Sequence, residues 1–595
     1  MKKEDRKTNP LVNVLKEEWA HLGDRKKMFV FYMSLFVIAG IIGLMTHLVI
    51  GYIFNFIQQQ GDITSPEGFK KLIMLISLIL VIKVAHWGFH GPARIMEQLT
   101  SFSVHKRYTN SKIKKVLELP VKWHKDNHSG DTIDKINRAR GSLEDFSESR
   151  TFQLVYILLN IFGSLIILLF INVQVAIFSL IFCSLMLFAI SRVDKRLTKY
   201  YKELNQYSNK LSASVFDYVS NIITIITLRL KKTVSTEIDN KLVASYSTYK
   251  KAAIIDEIKW AVGSIAITLM TVLVLIYKSY IDYTTSGVIL IGTLYILFGY
   301  LRTVGDSFFQ FGQFYGGIVR GNARIEGTYP IDEAFDEIKE KIGGQLPDDW
   351  KKVDLKNIDF TYDVKGHTRH MKDVNFNFHR GQKIALIGES GSGKSTVLAL
   401  LRGLYPPQKG KVYVNGKELG NGFERLKRNI TLIPQEPELF NNTIKYNITM
   451  DLPTRKDDLQ KAMQMAQFEN VVLRLEKGLN SNVLEKGVSL SGGEKQRLAL
   501  TRGLLAAKKS DIVLLDEPTS SVDSVNEIKI HENIFKEFKN KTIISSIHRL
   551  HLLNKFDYIY MFERGKIVAQ GTLSEMKRNP RFKLILNKYK VSATK

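Results

Sequence analysis

The chain is poor in cysteine and in acid. Its 595 residues hold a single cysteine, Cys183, inside an apolar stretch. That excludes an intramolecular disulfide and any zinc site built on several thiolates. Asp and Glu number 58 against 85 Lys and Arg, a formal net charge of +27. An excess of that sign suits nucleic acid, an acidic ligand or a membrane surface. A secretory signal is also missing, because the basic N-terminus leads into an apolar run too long for one. The segment before that run is too short for an additional N-terminal enzyme domain. Long apolar runs are absent from the second half.

The first half has six such runs, at 28–56, 69–90, 154–171, 175–190, 260–277 and 288–301. Several approach or exceed the ~20 residues that cross a bilayer as a helix. The segments before the first, between the second and third, between the fourth and fifth, and after the sixth are rich in Lys and Arg. The opposite loops are short: "QQQGDITSPEG", "NVQ" and "SYIDYTTSG". Six crossings with this asymmetry put both termini in the cytoplasm. Anionic lipid headgroups then account for much of the positive charge, and no nucleic-acid partner is needed. The fold expected is a membrane all-α domain of six helices over 1–325, a linker over 326–350 and a cytoplasmic α/β domain over 351–595. Leu11, Leu15, Trp19 and Leu22 recur at helical spacing and suit an amphipathic helix on the inner surface before the first span, with a disordered tail the open alternative.

The α/β domain carries nucleotide chemistry. The strand "KIALIG" runs into "GESGSGKST", which has the spacing of a phosphate-binding loop. Gly388, Glu389, Ser390, Gly391, Ser392, Gly393, Lys394, Ser395 and Thr396 form it. The glycines let backbone N–H groups wrap phosphate oxygens, and the loop opens a helix whose N-terminus favours anions. Lys394 would reach the β- and γ-phosphates of ATP, and Ser395 would ligate Mg²⁺. A second strand, "IVLL", ends in Asp516 and Glu517. Asp516 would hold Mg²⁺, mostly through water. Glu517 is placed to polarise the attacking water as a general base.

"LSGGEKQRLALTRGLL", between that loop and the acidic strand, resembles the signature of ABC ATPases. The resemblance extends to other segments in order. Tyr362 in "FTY" resembles the aromatic that stacks on adenine. Gln435 in "LIPQEPELF" is similar to the Q-loop residue that senses Mg²⁺. Glu485 in "NVLEKG" resembles the acid preceding the signature in exporters. Asp523 in "SSVD" resembles the D-loop, and His548 in "SSIHRL" the switch histidine at the γ-phosphate. With six preceding spans the chain resembles a half-transporter of the ABC exporter class. "LPVKWHKDNHSGDTIDKI" and "VSNIITIITLRL" resemble its two intracellular coupling loops, and "NARIEG" the end of its sixth helix.

The resemblance implies that each ATP is sandwiched between the phosphate loop of one chain and the signature of another. Leu490, Ser491, Gly492, Gly493 and Glu494 would therefore act on the partner's ATP. Two chains are required, and a homodimer is expected because no catalytic element is missing; a heterodimer with a second half-transporter stays open. Alternating access of an amphipathic substrate is implied, in a plasma membrane of bacterial type. A lipid, lipid-linked molecule, peptide or drug-like cargo all remain open, as does an ATP-driven sensor that regulates a partner. Two departures stand out. Glu494 occupies a position where glutamine is usual, and Asp134-Lys135 replaces the usual Ser-Arg pair in the first coupling loop.

One anomaly lies in the second apolar run. Lys83, His86, His90 and Arg94 fall within an arc of roughly 80° on one helix face. With Arg302 they are a candidate basic wall for an anionic amphiphile. The alternative is snorkelling to headgroups, or pairing with Asp256, Glu257 or Asp306. Gly91-Pro92 is a candidate kink.

Overall fold

The computed structural model describes residues 9–59, 65–127, 129–339, 344–362, 370–436, 438–483, 490–584 and 586. Internal contacts divide the chain into two compact units. One is Met1–Glu118 with Ser129–Ala334, the other Leu119–His128 with Phe335–Lys595.

The first unit is helical. It opens with α1 (Pro10–Leu22), α2 (Lys26–Gln59) and α3 (Pro66–Glu118). Next in the chain is α4 (Val121–Asp126), which belongs to the second unit. The first unit resumes with α5 (Ser129–Asp145), α6 (Thr151–Ile171), α7 (Val173–Ser220), α8 (Ile222–Thr227), α9 (Lys231–Val243), α10 (Tyr246–Ser286) and α11 (Ile291–Glu326). Long helices α2, α3, α6, α7, α10 and α11 cover the six apolar runs. Asn172 alone separates α6 from α7, and its side chain caps α7 by accepting the Val175 N–H. Among the described residues five helical stretches are long and apolar enough to cross a membrane. The sixth long helix, α11, is not among them: Arg302, Asp306, Gln310 and Gln313 interrupt its apolar residues. Proline does not break α3, which is one helix of 53 residues through Pro92. The residue four positions back is Gly88, where an added Cβ would meet nothing within 4 Å, so the ring has room.

Leu165, Leu168, Cys183, Ile267, Met270, Leu297 and Val304 belong to one core that joins α6, α7, α10 and α11. Many large apolar side chains point outward instead, among them Met74 at 74% exposure and Phe170 at 87%. Such a surface suits lipid. The amphipathic helix forms as α1, with Asn9 accepting the Leu11 N–H at its start and proline in its first turn. Its packed face overlaps the expected stripe, with Leu22 buried and Leu11 and Leu15 against the same core, but is shifted at Trp19. Asn13, Val14, Glu18 and Leu22 are buried, while Trp19 is 45% exposed. Polar partners explain the shift: Asn13 Nδ2 donates to Asn322 Oδ1 (2.6 Å) and to Tyr329 Oη (2.9 Å). Tyr329 begins α12 (Tyr329–Lys339), a helix in the expected linker. Its Asp332 pairs with Lys112 and Lys115 of α3. Gly343 of that linker lies outside the described residues.

The second unit is α/β. An antiparallel sheet contains β1 (Lys352–Phe360), β2 (Met371–His379), β4 (Lys409–Val414) and β5 (Lys417–Glu418), in order β2-β1-β4-β5; β3 (Lys383–Ile387) belongs to the main sheet. The main sheet adds β6 (Ile430–Ile433), and a small pair, β7 (Asn442–Thr443) and β8 (Asn482–Val483), stands apart. With β9 (Ile512–Asp516), β10 (Thr542–Ser546), β11 (Tyr558–Glu563) and β12 (Lys566–Gly571) its order is β12-β11-β3-β10-β9-β6. Strands β11, β3, β10, β9 and β6 run parallel. Every residue of β3 and β10 is buried, as expected for parallel strands covered on both faces. Helix α13 (Lys394–Leu401) follows β3. Then come α14 (Gly422–Leu426), α15 (Ile444–Thr449), α16 (Lys456–Met465), α17 (Glu469–Leu473), α18 (Gly492–Ala507) and α19 (Ser524–Glu537). Helix α4 packs with this unit through Val121.

Candidate nucleotide site

The site forms where β3, β9 and β10 end together, the place open parallel sheets reserve for ligands. Between β3 and α13 the loop reverses through Gly388 (φ 147) and Gly393 (φ 110). A Cβ at Gly388 would lie 2.3 Å from the Phe562 carbonyl oxygen, so only glycine fits. Lys394 is buried, and its Nζ donates to the carbonyls of Gly388 (2.9 Å) and Glu389 (3.1 Å). Burial pushes the ammonium pKa down, opposed by Glu517 and Asp516. Ser395 Oγ donates to Asp516 Oδ1 at 3.0 Å, and Ser546 Oγ to the same oxygen at 2.9 Å. A hydroxyl beside a carboxylate is the hard oxygen donor set Mg²⁺ takes alongside phosphate and water. Ser395 and Asp516 thus fit that ion.

Glu517 follows β9 with a left-handed backbone (φ 45), a conformation that costs a non-glycine residue roughly 1–3 kcal/mol and clusters at functional sites. It aims the carboxylate between two partners. His548 Nε2 lies 2.5 Å from one oxygen, and Gln435 Nε2 donates to the other at 2.8 Å. Gln435 therefore touches the expected base rather than the Ser395–Asp516 pair. A cavity of about 250 Å³, lined by Glu517, Ser546 and His548, opens beside them.

Tyr362 is 40% exposed, with its hydroxyl donating to Thr396 Oγ1 at 3.3 Å. Its ring meets Tyr405 edge-on at 5.1 Å. Lys125 of α4 places Nζ 5.7 Å from the Tyr362 centroid and 5.3 Å from that of Tyr405. Nothing in the sequence around Tyr405 or Lys125 marks them for this position.

The signature sits at the start of α18. Leu490 is buried, Ser491 and Gly492 are exposed, and a Cβ on Gly492 would meet nothing within 4 Å. Gly493 is tighter, with its Cβ position 2.8 Å from the Ser521 carbonyl oxygen. Glu494 completes a capping box with Ser491: each side chain accepts the other's backbone N–H. That backbone bond, the Ser491 hydroxyl and an ion pair with Arg474 hold the Glu494 carboxyl below the usual range. Asp523 caps α19 by accepting the Asn526 N–H at 3.0 Å. Glu485 lies outside the described residues.

Gln496 is a site residue the motif reading overlooked. Its buried amide donates to Ser520 Oγ (2.9 Å) and to the carbonyls of Glu517 (3.3 Å) and Gln435 (3.4 Å), and accepts the Ser521 N–H (2.8 Å). One side chain thus ties the expected base, the Q-loop and the segment leading to Asp523.

Of the basic residues of α3, His86 and His90 stack with ring centroids 5.3 Å apart. His86 Nδ1 lies 2.9 Å from the Ala39 carbonyl oxygen, and His90 Nδ1 3.1 Å from Tyr156 Oη. Arg94 pairs with Glu97 on its own helix and covers the Phe152 ring at 4.5 Å. Arg302 faces Asp306 at 3.7 Å, and Asp256 holds Lys259 at 2.7 Å. The internal partner of Arg94 is therefore Glu97, not the three acids expected. Lys83 is exposed.

Two family models match: the ABC transporter transmembrane region over residues 29–307 and the ABC transporter domain over 371–520. The chain is 26% identical to the ABC-type oligopeptide transporter ABCB9 of Mus musculus over 86% of its length, and spans 66% of that protein. It is 25% identical to a putative export ATP-binding/permease protein of Rickettsia bellii, covering 88% of this chain and 90% of that one. A bacterial Atm1-family ABC exporter with ATP bound superposes with a TM-score of 0.81 at 19% identity, over 95% of this chain and 99% of the other. With an apolar helical unit, a phosphate loop, an outward-facing signature and an acid-terminated core strand in one polypeptide, the chain is an integral membrane protein of the ABC transporter family, whose members are ATPases coupled to transport.

Proposed function

We propose that two copies of this chain form an exporter that moves an amphipathic substrate outward by alternating access. The observation that carries the reading is the division of the nucleotide site within one chain. Lys394, Asp516, Glu517 and His548 converge at the strand ends, whereas Ser491 and Gly492 open outward. A second copy supplies the missing half for each ATP. Helix α8 supports the same stoichiometry. Ile223 is 78% exposed on it and Ile226 53%, an apolar face on a polar loop that a partner chain would cover.

Hydrolysis follows from the chain's own groups. Glu517 accepts a proton from the water that attacks the γ-phosphorus, as the bond to the β-phosphate oxygen breaks. His548 and Gln435 orient that carboxylate. Lys394 neutralises charge on the β- and γ-phosphates. Mg²⁺, held by Ser395 and Asp516, supplies further neutralisation when bound. ATP favours the closed dimer by binding it better than the open one, which shifts the population of the membrane unit. The basic charge between apolar runs supports cytoplasmic termini, and the membrane proposed is a plasma membrane of bacterial type.

Glu517→Gln keeps the size of the side chain and one acceptor oxygen but removes the base. The variant is expected to bind ATP and hydrolyse it at least a hundredfold more slowly. Wild-type turnover would remove Glu517 as the base. In reconstituted vesicles, ATP-dependent accumulation of an amphipathic probe supports transport. ATPase activity with no movement of any probe points instead to a sensor.

A further inference from the structure

A second basic feature, away from the nucleotide site and from the α3 residues, lies towards the C-terminal end of α11. A cavity of about 220 Å³ is lined by Val14, Ser142, Asp145, Arg150, Arg320 and Arg324, among others. Three guanidinium groups and one carboxylate border it. Asp145 pairs with Arg150. Among the described residues Arg324 reaches only the Ser142 hydroxyl, at 3.5 Å. Arg320 has no acidic partner among the described residues. Two positive charges are thus left without an anion on one small cavity.

The backbone is shaped for this arrangement. Between α5 and α6 the helix widens into a five-residue π turn, Phe146–Arg150, which ends on Arg150. Such turns are rare and recur at functional sites. Opposite it stands Gly317, where a Cβ would lie 2.5 Å from Arg150 Nη1. Any side chain at 317 would force that guanidinium to shift. A widened turn and a glycine therefore both serve to seat Arg150 beside Arg320 and Arg324.

Position constrains the ligand. At ~1.5 Å per residue Arg320 lies about 43 Å along α11 from Ile291, beyond the ~30 Å of a hydrocarbon core. Inner-leaflet headgroups and soluble anions both reach that depth. The cavity is smaller than the roughly 300–1,000 Å³ of sites for drug-sized ligands, and its guanidinium forks match oxyanion geometry.

We propose that this cavity is a binding site for a small phosphate-bearing anion, one per chain, built by Arg150, Arg320 and Arg324. The full chain, purified in phosphatidylcholine-containing micelles, is melted with added phosphatidylglycerol or with added glycerol phosphate. A rise in the apparent midpoint is expected with one or both. A rise with the lipid alone assigns a headgroup; a rise with glycerol phosphate assigns a soluble anion. R320Q/R324Q is expected to lose the rise. K135Q/R138Q removes the same charge from the exposed face of α5, where both residues pair with their own helix, and is expected to keep it. Should the double variant fail to fold, R320Q alone is expected to cut the rise at least twofold. No rise in the wild type, an equal rise in R320Q/R324Q, or its loss in K135Q/R138Q each overturns the site.

Discussion

Gln496→Leu removes one buried amide while keeping nearly the same volume. Its two short contacts, to Ser520 Oγ and the Ser521 N–H, and its two long ones, to the carbonyls of Glu517 and Gln435, disappear together. A net hydrogen bond is worth about 1 kcal/mol, and an orphaned buried group costs about 1–3 kcal/mol. Ser520 and Gln435 are exposed enough for water to replace the lost partner, so the sum is about 2–3 kcal/mol. At roughly 2–4 °C per kcal/mol for a domain of this size, the apparent melting midpoint falls by about 5–10 °C. The kinetic consequence is sharper. Glu517 and Gln435 both lose an anchor, and an ångström of misplacement costs about a hundredfold. The phosphate loop is untouched. Steady-state ATPase assays are therefore expected to give kcat reduced roughly 10- to 100-fold, with KM for ATP within about twofold. Gln496→Glu, which keeps the acceptor for Ser521, falls between. Wild-type kcat in the leucine variant would refute the view that Gln496 positions the base.

Three further outcomes follow from contacts described above. In the proposed dimer, Arg474→Ala leaves the Glu494 charge unneutralised beside the partner's phosphates. At roughly 8 Å and an effective dielectric of about 40–80 that repulsion is about 0.5–1 kcal/mol, so KM for ATP rises about two- to sixfold, and adding Glu494→Gln restores it; no rescue would separate the pair from ATP binding. Lys125→Ala removes a cation from the rings of Tyr362 and Tyr405, and KM for ATP is expected to rise severalfold while Lys125→Arg stays near wild type; equal values in all three would exclude Lys125 from the adenine end of the site. His531 is buried, its Nδ1 lacks a hydrogen-bond partner among the described residues, and burial lowers its pKa to about 4. The unfolded chain takes up that proton near 6.5, so His531's contribution is complete above about pH 6.5 and is lost as pH falls towards about 4, by about 3 kcal/mol. His531→Phe is expected to flatten this part of the stability profile, and an unchanged profile would assign the acid sensitivity elsewhere.

What could be read directly were features contiguous in the chain. The phosphate loop, the acids ending β9 and the six apolar runs each declare themselves within a single window. The contacts joining windows could not be read. Gln496 sits two residues past the signature, and its role depends on Ser520 and Ser521, which folding brings to it. Arg474 answers the oddity of Glu494 from the end of another helix, twenty residues away. Lys125 meets Tyr362 only because α4 packs with the second unit. The α1 stripe was legible except at Trp19, while the burial of Asn13 by its polar partners Asn322 and Tyr329 is something hydrophobic periodicity does not register. The acid beside Arg94 escaped by proximity, since Glu97 lies one turn away on the same helix.

The left-handed backbone at Glu517 sets stability against turnover. Asparagine or glycine would relax that conformation, and neither could accept the proton from water. Ranking variants by heat resistance would therefore favour changes that extinguish hydrolysis. At this position selection for a sturdier chain and selection for a working one pull apart. A population freed from the need for transport is expected to drift first through Glu517→Asn or Glu517→Gly.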